Sequence, residues 1–461
     1  MNRNILPTLI ALLLVPPALL RAAELVHSSM TLPPLDAYGG ATTIKAQATG
    51  YFWLKEIHGR WFFITPEGHG FIPLGVNHLL SYFGGEQGRL RTNELNLVKA
   101  QDGDNPQRAV ERVEAMLRDW QFNYAGYDTP RLFQQRMPFS VGFIQVQASA
   151  VLQQVQFVDV FSPAFALDLE KRVAALCQPL RENRHLLGYY LADLPLWGDR
   201  KFMDREEQTR GASWLSFFRK LPAEAPGRQA YEKFLASRYA GRFDAFKKLY
   251  GTAATGFGEP LRLDLENTNR GAAEVVADDE AFVAEIAEQI YRLTSEAFRR
   301  HDPHHLVLGE RFWGDRLFMP VLEKAAKYFP VVAVQLDGGF QKELYAGLYR
   351  RLGRPLISVD HVVSFVTPQT PNVRGRPLKS EAEAAALYVQ YLRDAFAEPY
   401  MVGYNRCQLV TRIRLDGPPP VYKQGLLDPQ GRPYATLIQA VRSANHEALA
   451  RLYAPIDHGR K

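Results

Sequence analysis

Asp193 stands in the stretch HLLGYYLADLPLWG, residues 185–198, just after an apolar run and shortly before the indole of Trp197. The run from Leu186 to Leu191 is dense in aromatic and branched residues and reads as a fully buried strand. Polarity changes abruptly where that strand stops. An acid able to protonate a glycosidic oxygen, next to an aromatic face able to hold a sugar ring, is equipment for sugar chemistry. The same stretch also fits an Asp that caps the next segment beside a core Trp.

Other polar groups stand where other apolar runs end: Asn77 with His78, Asp128, Glu310 with Arg311, Asp337, Asp360 with His361, and Asn405 with Arg406. Tyr127, Trp197, Trp313 and Tyr404 accompany them. Several acids in one mouth repel one another, so some must hold raised pKa values. Glycoside hydrolysis needs one protonated and one ionised carboxyl facing each other across the sugar. Asp193 and Asp360 are the candidate catalytic pair. Asp193 is the general acid, its pKa raised by Leu194, Pro195 and Trp197. Asp360 is the base or nucleophile, kept ionised by polar neighbours that include His361 and Arg406. Asn77, His78, Asp128, Trp197, Glu310, Arg311, Trp313, Asp337, His361, Tyr404 and Arg406 are the candidate substrate-binding residues. In the alternative, these acids pair with Arg311 and Arg406 and only hold the mouth together.

Neither a metal nor a cofactor is expected. His304 and His305 are adjacent, so their side chains point to opposite faces of a strand. No H-x-H, H-E-x-x-H or C-x-x-C is present, and His361 reads as a hydrogen-bonding neighbour. A serine hydrolase would need G-x-S-x-G, which is absent.

The elements that must position these residues alternate along the chain. Apolar runs at 71–77, 122–127, 139–144, 187–193, 305–311, 331–336, 355–360 and 400–404 read as eight strands. Helical spacing lies between most of them, as in 106–119, 164–180, 281–300, 317–328, 342–352 and 382–397, and 433–452 closes the series. Short buried strands alternating with helices imply a parallel sheet, and eight of them make a (β/α)8 TIM barrel the economical answer. Strands four and seven then lie on opposite sides of its mouth. The alternative is a doubly wound open sheet, but no G-x-G-x-x-G follows the first strand. Before the barrel, two aromatic strands around His58-Gly59 read as a β-hairpin lying on the barrel floor. Residues 199–277 read as a helical insertion after strand four. The expected division is 1–23 signal peptide, 24–70 N-terminal extension with the hairpin, and 71–453 barrel.

Composition agrees with a large core: the chain has 461 residues, 46% of them apolar. The net charge of +6 comes from scattered Lys and Arg, with no basic block and no interleaved aromatics, so a nucleic-acid partner is not expected. MNRNILPTLIALLLVPPALLRAAE has a short positive start, a proline-broken apolar stretch and small residues at Ala22 and Ala23, and reads as a secretory signal peptide. No Cys follows the apolar stretch, so no lipid anchor is indicated. No later stretch is long and apolar enough to span a membrane, which places the mature chain in the periplasm or outside the cell. Cys177 and Cys407 fall in a helix and at a distant strand end, and two unpaired thiols are expected.

At this point GRWFFITPEGHGFIPLGVNHL resembles the opening of the β-agarases of glycoside hydrolase family 50. DVFSPAF (159–165), APGRQAYEKFLASRYAGRFDAFKKLYGT (225–252), HDPHHLVLGERF (301–312) and GLLDPQGRPYATLIQAV (425–441) resemble further segments in the same order. The resemblance implies a glycosidase barrel acting on a polysaccharide or oligosaccharide, with an acid/base Glu after strand four and a nucleophile Glu after strand seven. Here the chain departs from the family: Leu194 stands at the first Glu position with Asp193 beside it, Asp360 stands at the second, and Arg406 lies near an expected aromatic. Two facing Asp carboxyls stand about 1–2 Å farther apart than two Glu, toward the roughly 6.5–9.5 Å of inverting enzymes rather than the roughly 5–5.5 Å of retaining ones. The expectation is a glycoside hydrolase of agarase or galactan-hydrolase type. The alternative is a barrel that binds carbohydrate without cleaving it.

Overall fold

The structure, a computed structural model, describes residues 31–80, 92–146, 148–149, 154–155, 157–191, 197–251, 255, 269–414 and 421–454. Eight parallel strands close into a barrel. In chain order, strands one to eight are Leu74–Asn77, Tyr124–Ala125, Phe139–Phe143, Leu186–Leu191, Leu306–Trp313, Val332–Gln335, Leu356–His361 and Met401–Cys407. Each pairs with the next, and strand eight closes on strand one through Tyr404 opposite Leu74 and Cys407 opposite Asn77. The (β/α)8 TIM barrel read from the sequence is the fold observed. Strands five and eight run farther toward the mouth than the apolar runs indicated, so Arg311 lies inside its strand rather than at its last position, and Arg406 inside its strand rather than after it.

The strands are buried on both faces because two cores flank them. Inside, Tyr124, Leu187, Tyr190, Leu308, Ala333, Ile357, Val359 and Val402 fill the barrel. Outside, Tyr189, Leu191, Val334, Leu356 and Tyr404 meet the helices. Three of those helices begin at side-chain caps, two of them early in the barrel. The Asn105 side chain accepts from the backbone N–H groups of Gln107 and Arg108 and starts helix Pro106–Asp119, which buries Ala109, Val110, Val113 and Leu117 along one face. The Ser162 hydroxyl accepts from Phe165 N–H, with Pro163 opening helix Pro163–Cys177.

A four-stranded antiparallel sheet precedes the barrel: Ala41–Lys45, Trp53–Ile57, Arg60–Ile64 and His69–Phe71. His58 and Gly59 both have positive φ, 50° and 76°, and make the tight turn of its central hairpin. Phe63 and Phe71 from this sheet, with Phe52 just before its second strand, join the inner core, so the sheet covers the end of the barrel where the strands begin.

The insertion after strand four folds as helices Arg200–Arg210, Trp214–Lys220, Pro226–Arg238 and Phe243–Tyr250. They pack on the first half of helix Ala273–His301. At 29 residues that helix is about 44 Å long, more than one crossing of a barrel needs. Its N-terminal half carries buried Asp278 and Asp279, which receive Arg238, and Arg200 with Arg219, respectively. A helix that follows a strand runs away from the mouth, so its first half, and the insertion with it, lies at the mouth end. Cys177 and Cys407 are both buried and unpaired. Among the described residues no helix is long and apolar enough to cross a membrane.

Candidate active site

Three residues at the mouth adopt left-handed backbone conformations that side chains other than Gly rarely take: His78, φ 57°; Asp128, φ 57°; and Asp360, φ 52°. Such conformations cost energy and cluster where function holds them in place. At Asp360 the reason is visible along strand seven. Ile357 and Val359 face the barrel interior, Ser358 and His361 face the helices, and simple alternation would turn Asp360 outward as well. The left-handed turn, together with a register shift against strand eight, brings its carboxylate to the mouth instead.

Asp360 is buried and fully engaged. Asn77 Nδ2 donates to its Oδ1 at 2.9 Å, the Tyr127 hydroxyl donates to its Oδ2, and Arg311 Nε lies 3.5 Å from Oδ2. Burial alone would raise its pKa. The charges of Lys423, Arg311 and His78 outweigh burial and, with the Tyr127 hydroxyl, hold it well below the usual carboxylate range. The guanidinium of Arg311 also lies over the Tyr127 ring, 3.7 Å from its centre. Gly126 makes room for this arrangement: a Cβ there would come within 1.7 Å of Asn77 Oδ1.

His78 links the carboxylates. Its Nδ1 faces Asp128 Oδ2 at 2.8 Å, and its Nε2 lies 3.1 Å from the Tyr127 hydroxyl and 3.9 Å from Asp360 Oδ1. Since Tyr127 gives its proton to Asp360, Nε2–H is the donor toward the Tyr127 oxygen. Burial opposes charge on His78, but Cys407 and the Asp128 carboxylate outweigh it, and the ring is pushed up to about 9. Cys407, at the end of strand eight, also meets His78. Burial raises its thiol, yet Lys423 and His78 win and lower it.

Other candidate residues lie elsewhere. Glu310 faces the helices. Gly309, φ 83°, makes a bulge in strand five, so Glu310 pairs with outward-facing Leu191, while Arg311 pairs with inward-facing Ala333. Its carboxylate accepts from Trp197 Nε1 at 3.0 Å and from the Tyr291 hydroxyl. Trp197 stacks on Trp214 of the insertion, with ring centres 5.8 Å apart, and ties the insertion to the barrel wall. His361 also faces outward. Its Nδ1 accepts from the Tyr404 hydroxyl at 2.8 Å, its Nε2–H donates to the Gly338 carbonyl at 2.8 Å, and its ring stacks on Tyr391. Burial and Arg406 push it down to about 3, so it is neutral. Arg406 donates to the His361 and Val363 carbonyls, each at 2.9 Å, and braces the strand ends. The neighbours that keep Asp360 ionised are therefore Lys423, Arg311 and His78, in place of His361 and Arg406. Asp337 accepts from Val362 N–H at 2.9 Å on the rim, and Trp313 carries Arg316 over its ring. Asp193 lies outside the described residues.

Sequence reading singled out Asp360, Asn77, His78, Asp128 and Arg311, and the structure brings these five together. Cys407 is legible in the sequence only as an unpaired thiol at a strand end, and nothing local marks Lys423. Tyr127 was legible as an aromatic at a strand end.

No family model matches the chain, and no curated protein does. Among solved structures the fold is similar to that of an exo-beta-agarase, at 19% identity and a TM-score of 0.76, over 95% of this chain and 71% of that one. It is similar to the agarase AgWH50C, at 17% identity and a TM-score of 0.76, over 95% and 70% of the two chains. PfGH50B follows at 16% identity and 0.74, over 94% and 71%. The resemblance noted in the sequence thus holds at the level of fold: the chain is a (β/α)8 barrel of the shape these agarases have.

Proposed function

We propose that the protein is a glycoside hydrolase that cleaves a polysaccharide or oligosaccharide of galactan type. The observation that carries this reading is Asp360. It is turned into the mouth at the end of strand seven, and Arg311, Asn77 and Tyr127 hold it as a carboxylate where barrel enzymes carry their chemistry. A buried anion with this many donors is suited to stabilise positive charge developing at an anomeric carbon, or to orient a water against it. Asp193, after strand four, supplies the general acid. The first 23 residues act as an export signal, and the mature chain works in the periplasm or outside the cell. Leu194 in place of the expected acid/base Glu favours a second reading, a carbohydrate-binding barrel without turnover.

The test is hydrolysis of a polysaccharide panel, including agarose and other galactans, by the parent and by Asp193→Asn and Asp360→Asn. Each variant should lower kcat by orders of magnitude with glycan binding near the parental value, measured where the variant is fully folded, since Asp360→Asn also takes the anion from buried Arg311 and lowers Tm. NMR of the fresh product then reads the anomeric configuration. Binding without hydrolysis by the parent would select the second reading.

A further inference from the structure

We propose that His78, Asp360 and Cys407 form a binding site for one zinc-class divalent cation at the barrel mouth. Their ligand atoms, an imidazole nitrogen, a carboxylate oxygen and a thiol sulfur, all lie within 4.8 Å of one another, and His78 Nε2 to Asp360 Oδ1 is 3.9 Å. A four-coordinate zinc ion holds such atoms at about 2.0–2.3 Å from itself, and hence roughly 3–4 Å from each other, so small side-chain adjustments close the shell. One nitrogen, one oxygen and one sulfur make a borderline-soft set, which suits zinc better than magnesium or calcium.

The surroundings of the three residues have the form of a metal site's outer shell. Asp128 accepts from His78 Nδ1, the carboxylate–histidine arrangement that fixes a ring and aims its other nitrogen at a metal. Asn77 and Tyr127 hold Asp360 from both of its oxygens. Lys423 favours the ionised forms of both Asp360 and Cys407, and Arg311 that of Asp360, the forms that bind metal. Two buried ligands that can both be anionic stand side by side, and a divalent ion between them would neutralise both. Binding displaces the Nε2 proton that His78 directs at Tyr127. Asp360 and Cys407 are nearly inaccessible, whereas the His78 side chain is 16% exposed, so the way in lies on the His78 side. Three protein ligands leave a fourth position for a water or a sugar hydroxyl. The use of that position rests on the hydrolase reading; the existence of the site does not.

The full chain, stripped with a chelator and dialysed, is titrated with Zn²⁺ by calorimetry and with Co²⁺ by absorption. One equivalent should bind, with a thiolate-to-cobalt charge-transfer band. Cys407→Ser should abolish the band and weaken Zn²⁺ binding about 100-fold, and Asp128→Asn about 10–100-fold. Cys177→Ser should change neither. Stoichiometry near zero, or a band and affinity that survive Cys407→Ser, overturns the proposal. If Cys407→Ser does not fold, Asp128→Asn, which leaves the ligands intact, decides by the same titration. A chain that binds the metal but cleaves no glycan upholds the site and removes the hydrolase reading. A chain that cleaves glycan but takes up no metal does the reverse.

Discussion

Asp360 sits in a shell where every neighbour has a second task. Asn77 holds the carboxylate and is itself packed against the backbone at Gly126. Tyr127 donates to Asp360, accepts from His78 and carries Arg311 on its ring. A small change beside this shell should therefore be felt at its centre. Gly126→Ala places a methyl where Asn77 Oδ1 now lies, so Asn77 must swing away from Asp360. The expected cost is about 1–3 kcal/mol in urea unfolding. Glycan hydrolysis should fall by more than that stability loss explains, measured as kcat/KM at a temperature where the variant is fully folded. Unchanged kcat/KM would mean that Asn77 does not matter to the site.

Helix Ala273–His301 joins the insertion to the barrel through charge at one end and at the other. Near its start, buried Asp279 is clamped by Arg200 and Arg219. Asp279→Ala leaves two guanidinium groups buried without their anion and should cost about 3–5 kcal/mol, read from chemical denaturation. A loss under 1 kcal/mol would mean that the insertion is held by its aromatic contacts alone. Near the other end, Arg300 and His301 bond Glu170 of helix Pro163–Cys177 and hold its carboxyl at about 2, below its ordinary 4.5. A depressed carboxylate stabilises the fold above the unfolded-state value and loses that contribution as pH falls toward the folded one. Glu170 is partly exposed, so the contribution is about 1 kcal/mol at neutral pH. Glu170→Gln should be less stable than the parent at pH 7, and the gap should shrink on acidification to pH 3. A gap that stays constant would place the effect in packing.

At the scale of the molecule, the barrel is closed at one end by its own N-terminal sheet. Phe52, Phe63 and Phe71 continue the inner core past the first layer of strand residues. The sheet and the barrel should therefore unfold together. Phe63→Ala, at a fully buried position, should cost about 3–5 kcal/mol and lower a single unfolding transition rather than split it. Two separate transitions in the variant would mean that the sheet is an independent cap.

The eight strands, their order and the helices between them were legible in the sequence, because burial on both faces imposes continuous apolar runs and amphipathic helices impose a period near 3.6. So were Asp360, Asn77, His78, Asp128 and Arg311 as residues near strand ends. Facing directions were not legible. The bulge at Gly309 turns Glu310 toward the helices and Arg311 inward, reversing what alternation along strand five would give. The left-handed turn at Asp360 likewise brings its carboxylate to the mouth while His361 stays in the wall. Nor could the sequence join His78, Asp360 and Cys407. Local ligand spacings arise when one turn or helix supplies the ligands. Here strands seven and eight and the residue just after strand one each supply one, and they become neighbours only when strand eight pairs with strand one and the barrel closes.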